Sequence, residues 1–339
     1  MPVKTTTRAF VLSAFDKIEE REQKIPALGA HDVLVEMKAA SLNYRDVLVC
    51  KGLYSRNLNL PLVVLSDGAG SVVETGAAVT RVKKGDRVMP AFFQTWISGE
   101  PHADKFKGAL GAGIDGVLRN EAVFNEDGLL LVPDHLSFEE AATLPCAALT
   151  AWNALFEYGD VQPGTSVLTL GTGGVSIFAL QLAKAAGARV VISSSSDEKL
   201  KRAKELGADV TINYKQTPEW DKAVLGDFPQ GVDHVIEVGG SGTLDRSVKS
   251  AKAGGHISLI GVLAAKEGGQ FDPTRLLMKG ARLQGIFVGS REMFERMNRA
   301  LVANRLRPVI DRTFKAEQIS EALEYMASGS HFGKIVVKL

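Results

Sequence analysis

Two kinds of hydrophobic spacing divide this chain. Over residues 7–134, apolar positions come in short alternating runs cut by turn residues, as in DVLVEMKAAS, SDGAGSVVETG and KKGDRVM, which predicts short strands with glycine and proline at their ends. The segment PDHLSFEEAATLPCAALTAWNALF changes to helical spacing, and Ser137 followed by Glu140 makes a capping box at its start. Beyond it strands and helices alternate. SVLTL, RVVIS, ELGADVTINY, GVDHVIEVGG, GGHISLIGV and ARLQGIFVG each carry a strand, which predicts a doubly wound parallel α/β sheet of about six strands ending near Gly289. Helical REMFERMNRALVAN, strand-like PVIDRTF, helical AEQISEALEYMASG and strand-like GKIVVKL close the chain and are expected to return to the β-rich half. The expected division is therefore a mostly-β domain over residues 1–135 and 290–339, and a parallel-sheet domain over residues 136–289. One long irregular piece, about residues 93–116, is rich in glycine, and Phe92, Phe93, Trp96 and His102 there either wall a pocket or anchor a loop.

The stretch SVLTLGTGGVSIFALQLAKAAGARVVISSSSDEK reads as strand, glycine turn, helix and second strand. Gly171 allows the tight turn, Gly173 lets the backbone approach a pyrophosphate, and the helix that follows offers free N–H groups and the positive end of its dipole. Thr172, Gly174 and Val175 complete the turn, and Ser176 stands at the third glycine position of the dinucleotide fingerprint. A dinucleotide is the expected ligand. About 20 residues further on, an NAD-binding unit carries a carboxylate for the ribose 2′-hydroxyl. Here Ser193, Ser194, Ser195 and Ser196 occupy that place, with Lys199 close behind. Hydroxyls and a cation suit a 2′-phosphate, so NADP(H) is expected over NAD(H), although Asp197 and Glu198 lie near and the serines also suit a helix cap.

Composition narrows the function. A chain of 339 residues exceeds what one core usually organises, and 45% hydrophobic with 23% charged residues is ordinary for a globular protein. Forty basic residues (Lys+Arg 40) against 39 acidic ones give no bulk attraction for nucleic acid or membrane. The N-terminal MPVKTTTRAF has no apolar signal core and no run is long enough to span a bilayer, so a cytoplasmic protein is the default expectation. Two cysteines, Cys50 and Cys146, are too few for a disulfide framework or a four-thiolate zinc site.

The segments ASLNYRDVLVCKGLY, SDGAGSVVETG, VKKGDRVM, LPCAALTAWNAL and FGKIVV, in this order across nearly the whole chain, resemble the medium-chain dehydrogenase/reductase superfamily, and within it the zinc-less members near the quinone oxidoreductases. The resemblance implies a GroES-like catalytic domain and a Rossmann domain. Zinc-dependent relatives place their catalytic ligands at positions that are Asn43, Ser66 and Cys146 here, and their structural zinc lobe falls in the cysteine-free 93–116 stretch. No zinc is expected, because one thiol, one amide and one hydroxyl make a poor site. Carried over position by position, the resemblance puts Thr150 against the nicotinamide, and Lys199 and Tyr214 on the 2′-phosphate. Gly239, Gly261, Val262, Phe287 and Val288 fall at strand ends along the carboxyl edge of the sheet, where a dinucleotide crosses. Near the C-terminus SGSHFGK departs from the pattern: Gly329 stands about where some relatives carry a phosphate-binding arginine, and His331 and Lys334 read as a surface histidine and a strand flank. The resemblance also implies a homodimer joined through residues 282–288.

Without a metal, the protein has to orient an acceptor, stabilise charge on its oxygen and supply a proton. Asn43 is an amide donor for a carbonyl oxygen, Tyr44 and Tyr54 are phenolic donors, and Asp46 can orient one of them or simply brace a turn; Asp67 reads as a turn residue. The expected activity is NADP(H)-dependent reduction of a quinone, an enone or a related carbonyl. A dehydrogenase acting on an alcohol or aldehyde, and an NADPH-binding protein with weak catalysis and a partner-binding role, remain open alternatives.

Overall fold

The computed structural model describes residues 5–55, 57–261 and 271–339. Its internal contacts divide the chain into one unit of Met1–Leu149 with Gly289–Leu339 and another of Thr150–Val288.

The first unit is built around the long strand Asp32–Leu42, which pairs antiparallel with Asp67–Thr75, Glu121–Asn125 and Lys334–Lys338. The sheet runs Ile310–Lys315, Lys334–Lys338, Asp32–Leu42, Asp67–Thr75, Arg87–Pro90, Leu129–Leu131, and a three-stranded sheet of Lys17–Lys24, Thr6–Ala14 and Leu62–Val63 accompanies it. Alternating apolar residues of these strands supply a core in which Val33, Val35, Leu42, Ile335 and Val337 are buried together, with Val117 added from a loop. Register fixes the point that matters for function: Ile335 lies opposite Leu42, so Lys334 comes beside Asn43, at the mouth of the helix Tyr44–Cys50.

The division between units comes later than the expected residue 136. Residues 136–149 belong to the first unit because the helix Phe138–Ala141 packs on Asp32–Leu42, Asp67–Thr75 and Lys334–Lys338, with Lys338 Nζ 2.7 Å from Glu139 and Arg307 2.8 Å from Glu140. The capping box forms: the Ser137 N–H donates to Glu140 Oε2 at 2.8 Å and the Glu140 N–H to Ser137 Oγ at 3.2 Å. In the irregular 93–116 stretch the aromatic residues anchor the loop. Phe92, Phe93 and Trp96 are buried, and Phe106 packs against Phe93 and Trp96, while His102 is exposed at the start of the short helix Ala103–Phe106.

The second unit is a six-stranded, all-parallel sheet in the order Val210–Asn213, Arg189–Ser194, Ser166–Leu170, Val232–Glu237, Ala251–Leu259, Arg282–Gly285. This is the expected doubly wound arrangement. Its near-continuous apolar strands bury Leu168, Val191, Val235 and Ile257 with Trp220 and Val248 from the helices. Chain order reverses at Ser166–Leu170, whose two neighbours are the second and the fourth strand of the unit, and the carboxyl end of that strand is the switch point where such sheets take ligands. Among the described residues no helix is long and apolar enough to cross a membrane.

Candidate functional site

In the second unit the glycine turn sits at that switch point. Gly171 has φ +72° and open space where a Cβ would stand, and the twelve-residue helix Gly174–Ala185 starts directly after it with no side chain capping its first turn. Uncapped N–H groups at the head of a long helix, beside a turn in which three of four residues are glycine, fit a pyrophosphate. Ser176 explains how the fingerprint survives without its third glycine: it is buried and its Oγ donates to Leu170 O at 2.6 Å, tying the helix to the strand that leads into the turn.

The serine run divides its tasks. Ser193 and Ser194 are buried at the end of Arg189–Ser194, and Ser196 caps the helix Asp197–Glu205 by accepting from the Lys199 N–H at 3.4 Å. The Tyr214 N–H donates to Ser194 O at 3.1 Å, so Ser194, Ser195, Ser196, Lys199 and Tyr214 gather at one sheet corner. Hydroxyl, phenol and ammonium groups are the donor types carried by these residues, and they suit a phosphate dianion.

Along the same edge, the Glu237 carboxylate organises the next turn. Its Oε1 accepts from the Gly239 N–H (2.7 Å), the Gly240 N–H (2.9 Å) and Thr243 Oγ1 (2.6 Å), and its Oε2 from Ser247 Oγ. Sequence reasoning passed over Glu237, although an acidic residue ending an apolar strand before two glycines was a visible signal. Gly239 and Gly261 are both places without room for a side chain: a Cβ would meet Thr243 Oγ1 at 2.2 Å at the first and Val238 O at 2.0 Å at the second. Val288 takes φ +55° and its carbonyl accepts from Asn153 Nδ2 at 2.8 Å, Phe287 is half-exposed, and Thr150 is buried. Val262 lies outside the described residues.

The chemistry-bearing residues of the first unit meet in a buried polar centre. Lys334 is only 2% exposed, and its ammonium donates to Leu42 O at 2.6 Å and Asn43 Oδ1 at 2.7 Å, with Asp67 Oδ2 at 3.9 Å. Asp67 is itself fully buried, and accepts from Ser66 Oγ at 2.7 Å and from the Cys146 N–H at 3.1 Å. Burial drives the Asp67 carboxyl above its ordinary value, with the Lys334 charge the largest influence against it. Asp46, also buried, is pushed up to about 6 by burial, opposed first by Arg45.

Several expected roles change here. Asp46 does not orient a tyrosine: it accepts from the Asn43 N–H at 2.7 Å and pairs with Arg45 at 3.3 Å, so it closes the first turn of Tyr44–Cys50. Lys334 is no strand flank, and Asp67 is no mere turn residue, because together they form the centre's ion pair. Tyr44 and Tyr54 remain at the surface, each 37% exposed, and Tyr54 carries the Arg45 guanidinium over its ring at 5.1 Å while Phe92 takes the other contact at 4.7 Å. His331 packs edge-on against Tyr325. Arg45 and Lys334 were missed as site residues. The readable signal for Lys334 was a lysine flush with the apolar run IVV of a closing strand.

Comparisons with known proteins match both units. A family model described as alcohol dehydrogenase GroES-like domain covers residues 29–134, and one described as zinc-binding dehydrogenase covers residues 174–303. A zinc-type alcohol dehydrogenase-like protein of Schizosaccharomyces pombe is 47% identical over 337 residues, 97% of each chain. The solved structure of a putative alcohol dehydrogenase from Sinorhizobium meliloti has a TM-score of 0.92 at 38% identity, covering 99% of this chain and 100% of that one. The solved structure of a 2-octenoyl-CoA carboxylase reductase in complex with NADP and 2-octenoyl-CoA has a TM-score of 0.86 at 26% identity, covering 99% of this chain and 88% of that one.

The zinc in two of these descriptions can be tested against the donors present. Asn43 Oδ1 is already the acceptor of an ammonium, Ser66 Oγ donates to Asp67, and the Cys146 thiol is pushed above its ordinary range, first by loss of hydration and then by the Asp67 charge. Among the described residues no three His, Cys, Asp or Glu side chains are grouped to hold a metal. A divalent cation would also have to sit beside the Lys334 ammonium. This donor set does not fit a catalytic zinc.

Proposed function

The chain belongs to the medium-chain dehydrogenase/reductase superfamily, and on that premise we propose that it is a zinc-independent, NADP(H)-dependent oxidoreductase acting on a quinone, an enone or a related carbonyl acceptor. The observation that carries the reading is the commitment of the Asn43 and Ser66 oxygens to other partners at two of the three metal-ligand positions, with a lysine ammonium beside them and the Cys146 thiol held above its ordinary range by burial. The turn at residues 171–174 receives the pyrophosphate, and Ser194, Ser195, Ser196, Lys199 and Tyr214 the 2′-phosphate. The bound NADPH supplies the hydride. The protein supplies position and protons: Asn43 holds the acceptor oxygen in the polar centre, and Tyr44 or Tyr54, whose rings reach solvent, returns a proton to the reduced product. The NADP and enoyl thioester named in one related structure support this choice of cofactor and of a conjugated acceptor.

A second reading, an alcohol dehydrogenase, is favoured by the names of other relatives. The two separate in one assay. NADPH oxidation with a quinone or an enone should persist after dialysis against a chelator, and alcohols with NADP+ should give no turnover; metal-dependent alcohol oxidation would sink the first reading. A second copy of this chain is the proposed partner, docking at the edge strand Arg282–Gly285, beside which Leu277 and Met278 are 78% and 81% exposed.

A further inference from the structure

Asn43 and Lys334 lie 291 residues apart in the chain, yet the lysine ammonium donates to the Asn43 amide oxygen at 2.7 Å inside the first unit's buried centre. We propose that Lys334 is a positioning residue for the reaction: its ammonium is the fixed cation of the site and acts through Asn43, holding the amide in the one orientation that presents its NH2 group as donor. This rests on the reading above that Asn43 holds the acceptor oxygen.

An asparagine amide can turn over and exchange its acceptor and donor ends. With an ammonium 2.7 Å from Oδ1, the flipped amide would set N–H against N–H in a buried place, so only one orientation is allowed. Lys334 is held in turn by Leu42 O and by the nearby Asp67 carboxylate, whose Oδ2 also accepts from the Cys146 N–H and whose Oδ1 accepts from Ser66 Oγ. The amide nitrogen of Asn43 is buried and faces the Asp67 carboxylate, which takes one of its two N–H groups and leaves the second for an acceptor oxygen. A cation at the acceptor end also polarises the amide and strengthens its N–H groups as donors. Asp67 completes the arrangement as the counter-charge, so the centre needs no outside cation to hold its carboxylate.

The register of the sheet makes the placement obligatory. Ile335 pairs with Leu42, and Ser41 Oγ donates to Ile335 O at 3.0 Å, so the lysine side chain enters beside the first turn of Tyr44–Cys50 and cannot slip by one residue without moving the whole closing strand.

The test measures kcat and KM for NADPH-dependent reduction in the wild type, Lys334→Met, Lys334→Arg and the charge-neutral double variant Lys334→Met/Asp67→Asn, together with asparagine-selective 15N spectra in which Asn43→Ala identifies the Asn43 side-chain signals. Loss of an oriented donor typically costs about 100-fold or more in kcat, so Lys334→Met should lose about that much while KM moves by less than about 3-fold. Lys334→Arg should recover part of the rate. The double variant guards against simple unfolding, since it removes both buried charges: it should regain thermal stability but not kcat, and the Asn43 side-chain signals should move in both Met variants. An unchanged kcat in Lys334→Met, a double variant with restored kcat, or unmoved Asn43 signals would each overturn the proposal. If the wild type turns over no acceptor, the functional reading fails by itself, and the amide spectra still decide whether Lys334 holds Asn43.

Discussion

The polar centre of the first unit and the histidine pair of the second bury ionisable groups in opposite ways. In the first, Asp46, Asp67, Lys334 and the largely enclosed Arg45 form a centre of two carboxylates and two cations that hold one another. In the second, His234 and His256 are buried face to face, with ring centroids 4.7 Å apart and planes 17° from parallel, and neither ring nitrogen of His256 has a hydrogen-bond partner among the described residues. One unit stabilises interior charge by pairing it; the other keeps interior imidazoles neutral. The difference separates a place where charge is organised from a place where charge is excluded.

Acidification should affect the two units differently, and this is the largest effect expected. Burial lowers His234 to about 3 and His256 to about 4, with the neighbouring imidazole adding to the first and Arg282 acting on both. A base whose folded value is depressed binds more protons when unfolded, so its stabilising contribution is present above about 6.5 and disappears as pH falls towards 4. With two such groups the slope approaches about 2.7 kcal/mol per pH unit. Asp46 goes the other way: its folded value is raised to about 6, so its contribution is complete below about 4 and is lost as pH rises through 6. Hydrogen exchange between pH 7 and 4.5 should therefore show the parallel sheet opening while the strands around Asp32–Leu42 stay protected. The His256→Phe variant should flatten the dependence; equal loss of protection in both units would erase the contrast.

Cofactor choice is the next effect in size. Removing one charge-assisted contact to a phosphate costs roughly 1.5–3 kcal/mol, so Lys199→Ala should lower the preference for NADPH over NADH by roughly 10- to 100-fold in Kd while NADH binding is little changed. An unchanged ratio would mean that the Ser194–Tyr214 corner does not read the 2′-phosphate.

The contrast between the units also governs how much of each site was legible in the sequence. The proposed nucleotide turn is a local object: Gly171, Gly173, the helix after them and the serines at the end of the next strand lie within about 25 residues, and in such turns backbone conformation does most of the recognition. Alternation of strand and helix was readable for the same reason, since parallel strands buried on both faces leave continuous apolar runs. The polar centre is a long-range object. Nothing near Lys334 says that its ammonium will lie on Asn43, because the partner is supplied by antiparallel pairing of Lys334–Lys338 with Asp32–Leu42. Asp46 shows the intermediate case: its place in the N-x-x-D motif was visible, but its acceptor role towards the Asn43 N–H depends on how the helix begins. The domain boundary moved because residues 136–149 belong by contact to strands that are far away in sequence.

The smallest effect concerns Ser176, and it tests whether the nucleotide turn is as local as this account requires. Its hydroxyl donates to Leu170 O at 2.6 Å in a fully enclosed place, so it fastens the helix Gly174–Ala185 to the strand Ser166–Leu170 across the turn itself. Ser176→Ala deletes that bond and leaves the carbonyl without this donor, at a cost of about 1 kcal/mol. Ser176→Gly restores the fingerprint glycine, and should cost about as much again through its greater backbone freedom within a helix. Because the N–H groups proposed to meet the pyrophosphate belong to the backbone, neither change should alter NADPH affinity by more than about 3-fold once the protein is folded. Urea titration and fluorescence binding on the two variants measure the two quantities separately. Should Ser176→Ala weaken the cofactor as much as it weakens the fold, the turn would depend on a side-chain fastening in the way the Lys334 centre does, and the contrast between a backbone-made and a side-chain-made site would fail.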